Sequence, residues 1–600
     1  MPIYRSDQAQ LTFAAEAAPG GSPEMAMGAQ LTSSAVLIDA TDGIPAGTRS
    51  IPVDGMVNTS EIPAGTFVAI GPTIGGGTTL TYNSEIAKVA FVESTTSIIL
   101  ETPTAFFHPN NTDIKTLSDQ TTLVDNDQSK LIKYVPGVYE AIEVPDPEMA
   151  IEPRYYLGTA SKRNFFEAYP GQQTYTGSLG SFVLLDGRPL RFPIGKVVTV
   201  PYAANDTTQA VTTGSAQLNG AVKKGDMYVL LDAGHGVDSG NDRFFVIYSS
   251  DTSTTNAAAL ATAEVCEAVS IINSNYVRLS SPLLYDHAND DNIRRVETAS
   301  GSTQLNHYRH TINEAVDLDS ISWHVHVRDS SETDANDFDR RYYGGKVGSM
   351  GLSAEEGGLL TASWDGINFL GMKHNQKLSG NHAASPANIT VPFFTPMQPI
   401  RSDNIVQAGQ VDLHDTVDPS HQQPYYFSQG QVKLFGTVIA RIRSFSLSVS
   451  NNEEPRYYLK RTMGHHRGPS EIMEQRREYS LAVSLALPDA AASATSNAAT
   501  VFKELLLEGD FGTGMQGFNV ELRFDRNQNN QVNDSMIIRI PNDYDGSGDN
   551  TGAAIGGNQQ GAFIRSAPHN ITDANPMEVE ADILFRNLTI EVRDNIAIYP

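Results

Sequence analysis

Two stretches decide the fold: Arg443-Ser-Phe-Ser-Leu-Ser-Val-Ser450 and Tyr479-Ser-Leu-Ala-Val-Ser-Leu-Ala-Leu487. Successive side chains of a β-strand point to opposite faces, so a period of two marks a strand with one buried side. In the first stretch Phe445, Leu447 and Val449 make one face, and Ser444, Ser446, Ser448 and Ser450 the other. In the second, Leu481, Val483, Leu485 and Leu487 oppose Ser480, Ala482, Ser484 and Ala486. An ordinary exposed face carries Lys, Glu, Thr and Arg. A face of Ser and Ala is small and uncharged, suited either to close packing against a neighbouring element or to the wall of a channel that offers no sticky points.

The same signal recurs outward from these strands. Phe435–Ile439, Phe518–Phe524, Met536–Ile540, Glu578–Phe585 and Leu588–Val592 all read as strands. The alternation changes phase at Arg586-Asn587, which predicts a bulge or tight bend. Thr500–Glu508 is the clearest helix, ended by Gly509. With 49 Gly and few helix-favouring runs, the chain is expected to be mainly β. Its 600 residues are too many for one ordinary core.

The formal net charge is −27. Duplex DNA is bound by Lys and Arg displacing counterions from phosphates, so a nucleic-acid-binding role is not expected, and the charge reads either as solubility or as a wall that DNA must pass without sticking. The single cysteine, Cys266, permits no intramolecular disulfide and reads as a small core residue. Met1–Gln10 lacks the features of a signal peptide, and no apolar run approaches a membrane span, so a soluble protein made in the cytoplasm is expected.

Residues 84–114 and 263–293 resemble each other without a gap. Glu85 aligns with Glu264, Ile86 with Val265, Pro103 with Pro282 and His108 with His287. Upstream, Ile51–Gly55 and Ala64–Ile70 mirror Gln217–Gly220 and Lys224–Leu230. Inside each copy short β-rich runs (Val89, Phe91 and Ile98–Leu100; Val269, Ile271 and Tyr276-Val277) are divided by turns at Glu93–Thr96 and Asn273–Asn275. Each copy is expected to be a small β-barrel or sandwich. The domain map is then 31–115 and 205–295 as related inserted modules, with 1–30, 116–204 and 296–600 forming the host domain.

Several segments of the host resemble the major tail tube proteins of long-tailed, siphovirus-type bacteriophages. They are Lys133–Glu140 with Arg163–Ser178 and Leu184–Gly195; Arg341–Val347 with Ser353–Trp364; and Val438–Asn452 followed by Glu454–Tyr458, Pro469–Ile472 and Arg476–Tyr479. A strand ending in paired Asn, a long loop, a returning strand and a short helix look like that family's core hairpin. The resemblance implies an antiparallel β-sandwich with a flanking helix, assembling as a homohexameric ring in a non-contractile tail. It further implies inner sheets joined into one barrel, a lumen that holds the tape-measure protein and then passes the genome, and tail terminator and tail-tip proteins at the ends. The location it implies is the virion tail, assembled in the bacterial cytoplasm.

On that reading Ser444, Ser446, Ser448, Ser450, Ser480 and Ser484 are candidates for the lumen wall. Glu578, Glu580 and Asp582 either contribute an acidic stripe there or lie on an outer solvated face. The loop Asn451–Glu474 is expected to be mobile in the monomer and to dock on the next ring through Tyr457, Tyr458, Leu459, Met463 and Ile472, with Arg456, Lys460, Arg461 and Arg467 adding charge. The N-terminal arm around Tyr4–Phe13 is the fallback for that role. The two modules are expected on the outside of the tube.

No catalytic, metal or cofactor site is expected. The pairs Glu355-Glu356 and Glu453-Glu454 are unremarkable among 69 acidic residues. His324 and His326 share a strand face but have no third ligand at metal spacing, and His465-His466 reads as a contact. Asp525–Asn529 lacks the turn Gly and closing Glu of a calcium loop, Asp543–Gly546 has a Gly-rich sequel with no Glu, and Gly75–Gly77 lacks the residues of a phosphate cradle. The competing function is a receptor- or glycan-binding β-protein of the tail tip or baseplate; a polysaccharide depolymerase comes last.

Overall fold

The structure is a computed structural model. It describes chiefly residues 9–16, 36–71, 85–116, 136–154, 167–201, 216–250, 262–296, 308–327, 338–374, 424–458, 468–486, 519–526, 534–541, 561–570 and 578–599, with short breaks inside several of these runs. Among them the chain is mainly β, in antiparallel sheets, with one α-helix at Arg188–Ile194. The helix expected at Thr500–Glu508 lies outside the described residues.

Two large sheets make the centre. The first has ten strands, eight of them in one path: Ala562–Ser566, Glu578–Phe585, Glu478–Ala486, Ile442–Ser450, Ser349–Glu355, Thr361–Asn368, Thr176–Val183 and Val138–Tyr139. The short strands His569–Asn570 and Ile142–Glu143 extend its two edges. The second sheet has seven strands, ordered Gly195–Pro201, Tyr308–Glu314, Thr589–Asp594, Ser535–Ile540, Val520–Asp525, Gly430–Leu434 and Thr437–Ile439.

One continuous core lies between them. Phe445, Leu447, Val449, Leu481, Val483 and Leu485 of the first sheet meet Val520, Leu522, Phe524, Ile538 and Ile590 of the second. Phe445 and Phe524 pack across the layers with ring centroids 5.6 Å apart. The phase change at Arg586-Asn587 is a bend that carries the chain from one sheet to the other, since Glu578–Phe585 and Thr589–Asp594 belong to different layers.

A four-stranded sheet closes one end, ordered Ala9–Ala15, Ile321–Val327, Phe338–Gly345 and Gly371–His374. Its Trp323 stacks on Trp364 at 6.4 Å, and Phe13 meets Phe192 of the helix edge-on at 5.3 Å. Leu11 and Phe13 are fully buried, so this part of the N-terminus is a core strand of its own subunit. That corrects the fallback for Leu11 and Phe13, because an aromatic side chain buried in its own core has nothing to offer a neighbour, while residues 4–8 lie outside the described residues. All seven residues of the helix are buried, which explains why the polar Arg188 and Arg191 are ion-paired to Asp186 and Asp319 at 2.8 and 2.6 Å.

The two segments that resemble each other have the same cyclic strand order, with Ile51 in the place of Val229 and Phe67 in the place of Phe244, which corrects the upstream match of Ile51–Gly55 to Gln217–Gly220 and of Ala64–Ile70 to Lys224–Leu230. Val36–Ile38, Ser50–Asp54, Ser97–Leu100, Glu85–Ser94, Phe67–Ile70 and Asp113–Thr116 form a closed barrel. In the second, Ala216–Gln217, Tyr228–Leu230, Tyr276–Leu279, Glu264–Asn273, Phe244–Tyr248 and Asn292–Arg295 follow the same circuit, and the bridge Leu218–Leu231 joins its ends. Each has its own apolar core. Cys266 is buried in the second, where burial pushes its thiol pKa well up. His108 and His287 are both buried and bridge to equivalent partners, Ile44 and Val222.

Candidate assembly surfaces and the smooth sheet face

The register of the ten-stranded sheet defines its outward face. Ser444 lies opposite Ser484, Ser446 opposite Ala482 and Ser448 opposite Ser480. On the other side Ser446 meets Ser353, Ser448 meets Gly351 and Ser450 meets Ser349. Ser363 and Thr361 continue these rows. The alternate positions Phe445, Leu447 and Val449 are buried while Ser446 and Ser448 are exposed, so the small side chains form an open face of the chain. Packing of that face against an element of the same subunit, one of the two sequence expectations, is not found at Ser446 and Ser448 among the described residues.

The acidic stripe shares this face. Ser484 pairs with Glu580 and Ala482 with Asp582, and Ala486 with Glu578. Val579, Ala581 and Ile583 point the other way into the core. Arg443 and Arg565 each stand at a register shift of their strand and bind Glu578 and Asp582 respectively. Glu580, Glu355 and Asp365 remain exposed. The face is therefore small, hydroxyl-rich and acidic at its margins, a surface that repels phosphate and presents few groups able to grip a polyanion.

The loop after Ser450 is better ordered at its base than the sequence suggests. Glu454–Arg456 pairs with Glu471–Met473. Ile472, expected to be a docking anchor, is instead buried with Tyr343 and Leu370 of the same chain. Tyr457 is half-buried and its hydroxyl donates to the Gln173 carbonyl at 3.1 Å. Tyr458 is 54% exposed and is the anchor candidate that stays open. Leu459, Lys460, Arg461, Met463, His465, His466 and Arg467 lie outside the described residues.

The paired asparagines have a local cause. The Asn451 amide donates to the carbonyls of Pro193 and Val347 at 3.0 and 2.8 Å, tying the loop base to the helix end. Asn452 adopts a positive φ of 48°, a conformation Asn tolerates better than most residues, and its amide donates to Arg476 O. Glu453 beside them is pushed up to about 8, chiefly by burial and further by Glu474, against the opposing pull of Lys346 and Arg477.

A second ribbon was missed by the sequence reading. Glu148–Arg154 pairs with Glu167–Thr174 as a separate two-stranded sheet. Met149, Ile151 and Tyr169 are 43, 65 and 51% exposed. Isolated two-stranded ribbons are marginal in water, so this one calls for a neighbour. Its signal was weak because Glu148-Met-Ala-Ile-Glu-Pro-Arg154 alternates poorly and contains a register shift.

The second barrel docks on the sandwich. Val246, Tyr248 and Ala263 pack against Val200, and Val265 against Val296 and Tyr308. The Tyr285 hydroxyl donates to Val197 O at 2.6 Å. A cleft of about 560 Å³ at this seam is lined by Arg191, Lys224 and Asp319 among others. Burial opposes ionisation of Asp319, but Arg191 and Lys224 outweigh it and hold its carboxyl at about 2. The charges of the cleft are thus largely committed to each other.

Among the described residues no cluster of three or more His, Cys, Asp or Glu could hold a metal ion. His324 is buried on its strand, and His287 is held by Glu264 at 2.8 Å and lies 3.5 Å from Asp291. No helix among the described residues is long and apolar enough to cross a membrane.

The distinctive surface among the described residues is a wide sheet face of small side chains. The model of the phage tail tube protein family matches residues 2–581, and the chain belongs to that family. Membership carries a structural role in the tube of a phage tail, a place in the virion and assembly with other tail components. A comparison with individually curated proteins gave no match.

Proposed function

We propose that this chain is the ring-forming subunit of a tail tube, and that the Ser/Ala face of its ten-stranded sheet lines the lumen. The observation that carries the reading is the register: Ser444, Ser446, Ser448, Ser450, Ser480 and Ser484 share one face with Glu578, Glu580 and Asp582. A polyanion sliding past meets no cationic row and is repelled by the acidic margins, so double-stranded DNA passes without specific binding. Before ejection the same lumen encloses the tape-measure protein, and terminator and tail-tip proteins cap the stack. Six inner-sheet units around the lumen are what the resemblance to siphovirus-type tubes implies.

Adjacent rings are held through the two exposed ribbons. Tyr458 on one and Met149, Ile151 and Tyr169 on the other supply apolar contact that the free subunit leaves open. The two barrels, 31–115 and 205–295, are inserted modules on the outer surface, since the lumen has no room for them and DNA together. Modules projecting around the tube would obstruct a contractile sheath, which favours a non-contractile tail.

The test is electron cryomicroscopy of tubes assembled from the purified protein. Ser446 and Ser484 facing the lumen supports the reading. Both serines on the outer wall, or compact particles in place of tubes, overturns it.

A further inference from the structure

The sequence carries a second repeat, at longer range. Glu152-Pro-Arg-Tyr-Tyr-Leu157 recurs as Glu454-Pro-Arg-Tyr-Tyr-Leu459, 302 residues later. Carried on without a gap, Gln173 aligns with Gln475, Ser178 with Ser480 and Leu179 with Leu481. The same alignment lays the strand Thr176–Val183 on Glu478–Ala486, and one exposed ribbon on the other.

Sheet order repeats with the sequence. From one edge the strands run Ala562–Ser566, Glu578–Phe585, Glu478–Ala486, Ile442–Ser450, and then Ser349–Glu355, Thr361–Asn368, Thr176–Val183, Val138–Tyr139. The third strand of each set is the aligned pair. In each set the fourth strand precedes the ribbon in sequence, and the first two follow the third in sequence. All neighbours are antiparallel, so both sets point the same way. The inner sheet is thus two four-stranded units side by side, joined where Ile442–Ser450 pairs with Ser349–Glu355.

We infer that this internal junction is the template for the contact between subunits, and that three chains, not six, close the ring. The inference rests on the tube reading above. Among the described residues the sheet ends in the two edges that the junction leaves over, 138–143 on one side and 562–566 on the other. Unpaired edges demand partners, and a rotation that closes makes a ring. A neighbour's Ala562–Ser566 stands to 138–143 as Ser349–Glu355 stands to Ile442–Ser450. Glu143 pairs with Ser178 as Ser448 pairs with Ser480, and Ser566 pairs with Asp582 in the place where Gly351 pairs with Ser363. Because Ser448 faces Gly351 within the chain, Glu143 faces Ser566 of the next copy. Charge allows the contact: Glu140 and Glu143 are exposed on one edge, and on the other Arg565 is exposed but paired with Asp582 of its own chain. Six units around the lumen, two per chain, then require three chains.

The test introduces Glu143→Cys with Ser566→Cys, with Cys266 buried and out of competition. Tubes are oxidised, denatured and run without reductant, and the symmetry of wild-type tubes is measured in parallel by electron cryomicroscopy. A covalent ladder ending at three 64.9-kDa chains, with threefold rings, is expected. A ladder ending at six, or rings of six chains, overturns the count. Tubes that assemble but fail to cross-link overturn the edge pairing. Failure of the wild-type chain to form tubes would instead sink the tube reading itself.

Discussion

Arg477 donates from its Nε to the side-chain oxygen of Asn451 at 2.7 Å, joining the residue that opens the long loop to one that closes it. The Asn451 amide spends its other hydrogen bonds on two carbonyls, so this one buried side chain holds the loop base, the helix end and the returning strand together. Asn451→Ala leaves those partners unsatisfied. The expected loss is about 1–3 kcal/mol of monomer stability, read by urea denaturation. A loss below the error of that measurement would show that the network does not hold the loop base.

Lysine on the smooth face is predicted to act on passage rather than folding. Ser446 is exposed and Ser484 half-buried on that face, so Ser446→Lys with Ser484→Lys should change monomer stability by no more than about 1 kcal/mol. The added cations would hold phosphates in the lumen, and genome release from reconstituted particles should slow by on the order of tenfold at low salt, recovering as salt rises. Unchanged release kinetics would remove these residues from the DNA path.

Tyr458→Ala probes stacking. The side chain is 54% exposed, so monomer melting should stay within about 0.5 kcal/mol of wild type while tubes become shorter in sedimentation and micrographs. The charged share of the contact should weaken with salt. Normal tubes would move the stacking role to Met149, Ile151 and Tyr169.

Much of the sandwich was readable because period-two alternation is strong wherever one side is buried. Glu578–Phe585 was bounded correctly to the residue, and Arg443–Ser450 to within one. The helix Arg188–Ile194 was not, since Arg-Pro-Leu-Arg-Phe-Pro-Ile has two prolines and no polar face; it is buried on every side and held by ion pairs. Ile472 was misjudged for a related reason. An apolar residue in a polar loop looks like a docking anchor until its own chain is seen to cover it. The long repeat escaped notice because only Glu-Pro-Arg-Tyr-Tyr-Leu is identical over a run, while the rest keeps only strand and turn positions.

Glu453 gives the loop base a pH dependence. Its carboxyl is pushed up to about 8, mainly by burial, so the folded chain keeps this proton at pH 7. An unfolded glutamate releases it at about 4.3. Between those two values the folded state binds the extra proton, so stability falls as pH rises from about 5 to 8 and then levels off. Glu453→Gln mimics the protonated form and should melt like wild type near pH 4 but higher at pH 8 and above, by on the order of a few kcal/mol. Parallel pH profiles for the two proteins would show that the carboxyl is not buried uncharged.

The last prediction separates the two barrels. In the first, Val36 pairs with Ile114, and in the second Ala216 pairs with Ile293, so in each the chain arrives and departs on neighbouring strands. Neighbouring antiparallel strands lie about 5 Å apart, a gap that a short Gly/Ser linker spans without moving the host. Excision of residues 31–115 should therefore leave a folded subunit that still builds tubes. Excision of 205–295 uncovers more than a gap: Val200 and Tyr308 of the seven-stranded sheet, 3% exposed each, lose the partners Val246, Tyr248, Ala263 and Val265. Val197 O also loses the Tyr285 hydroxyl. Fresh apolar surface of that kind lowers stability and invites aggregation. The expected result is normal tubes from the first deletion and a destabilised, aggregating chain from the second, compared by melting temperature and light scattering. Loss of tube assembly in the first deletion, with the monomer intact, would assign residues 31–115 to the contact between rings.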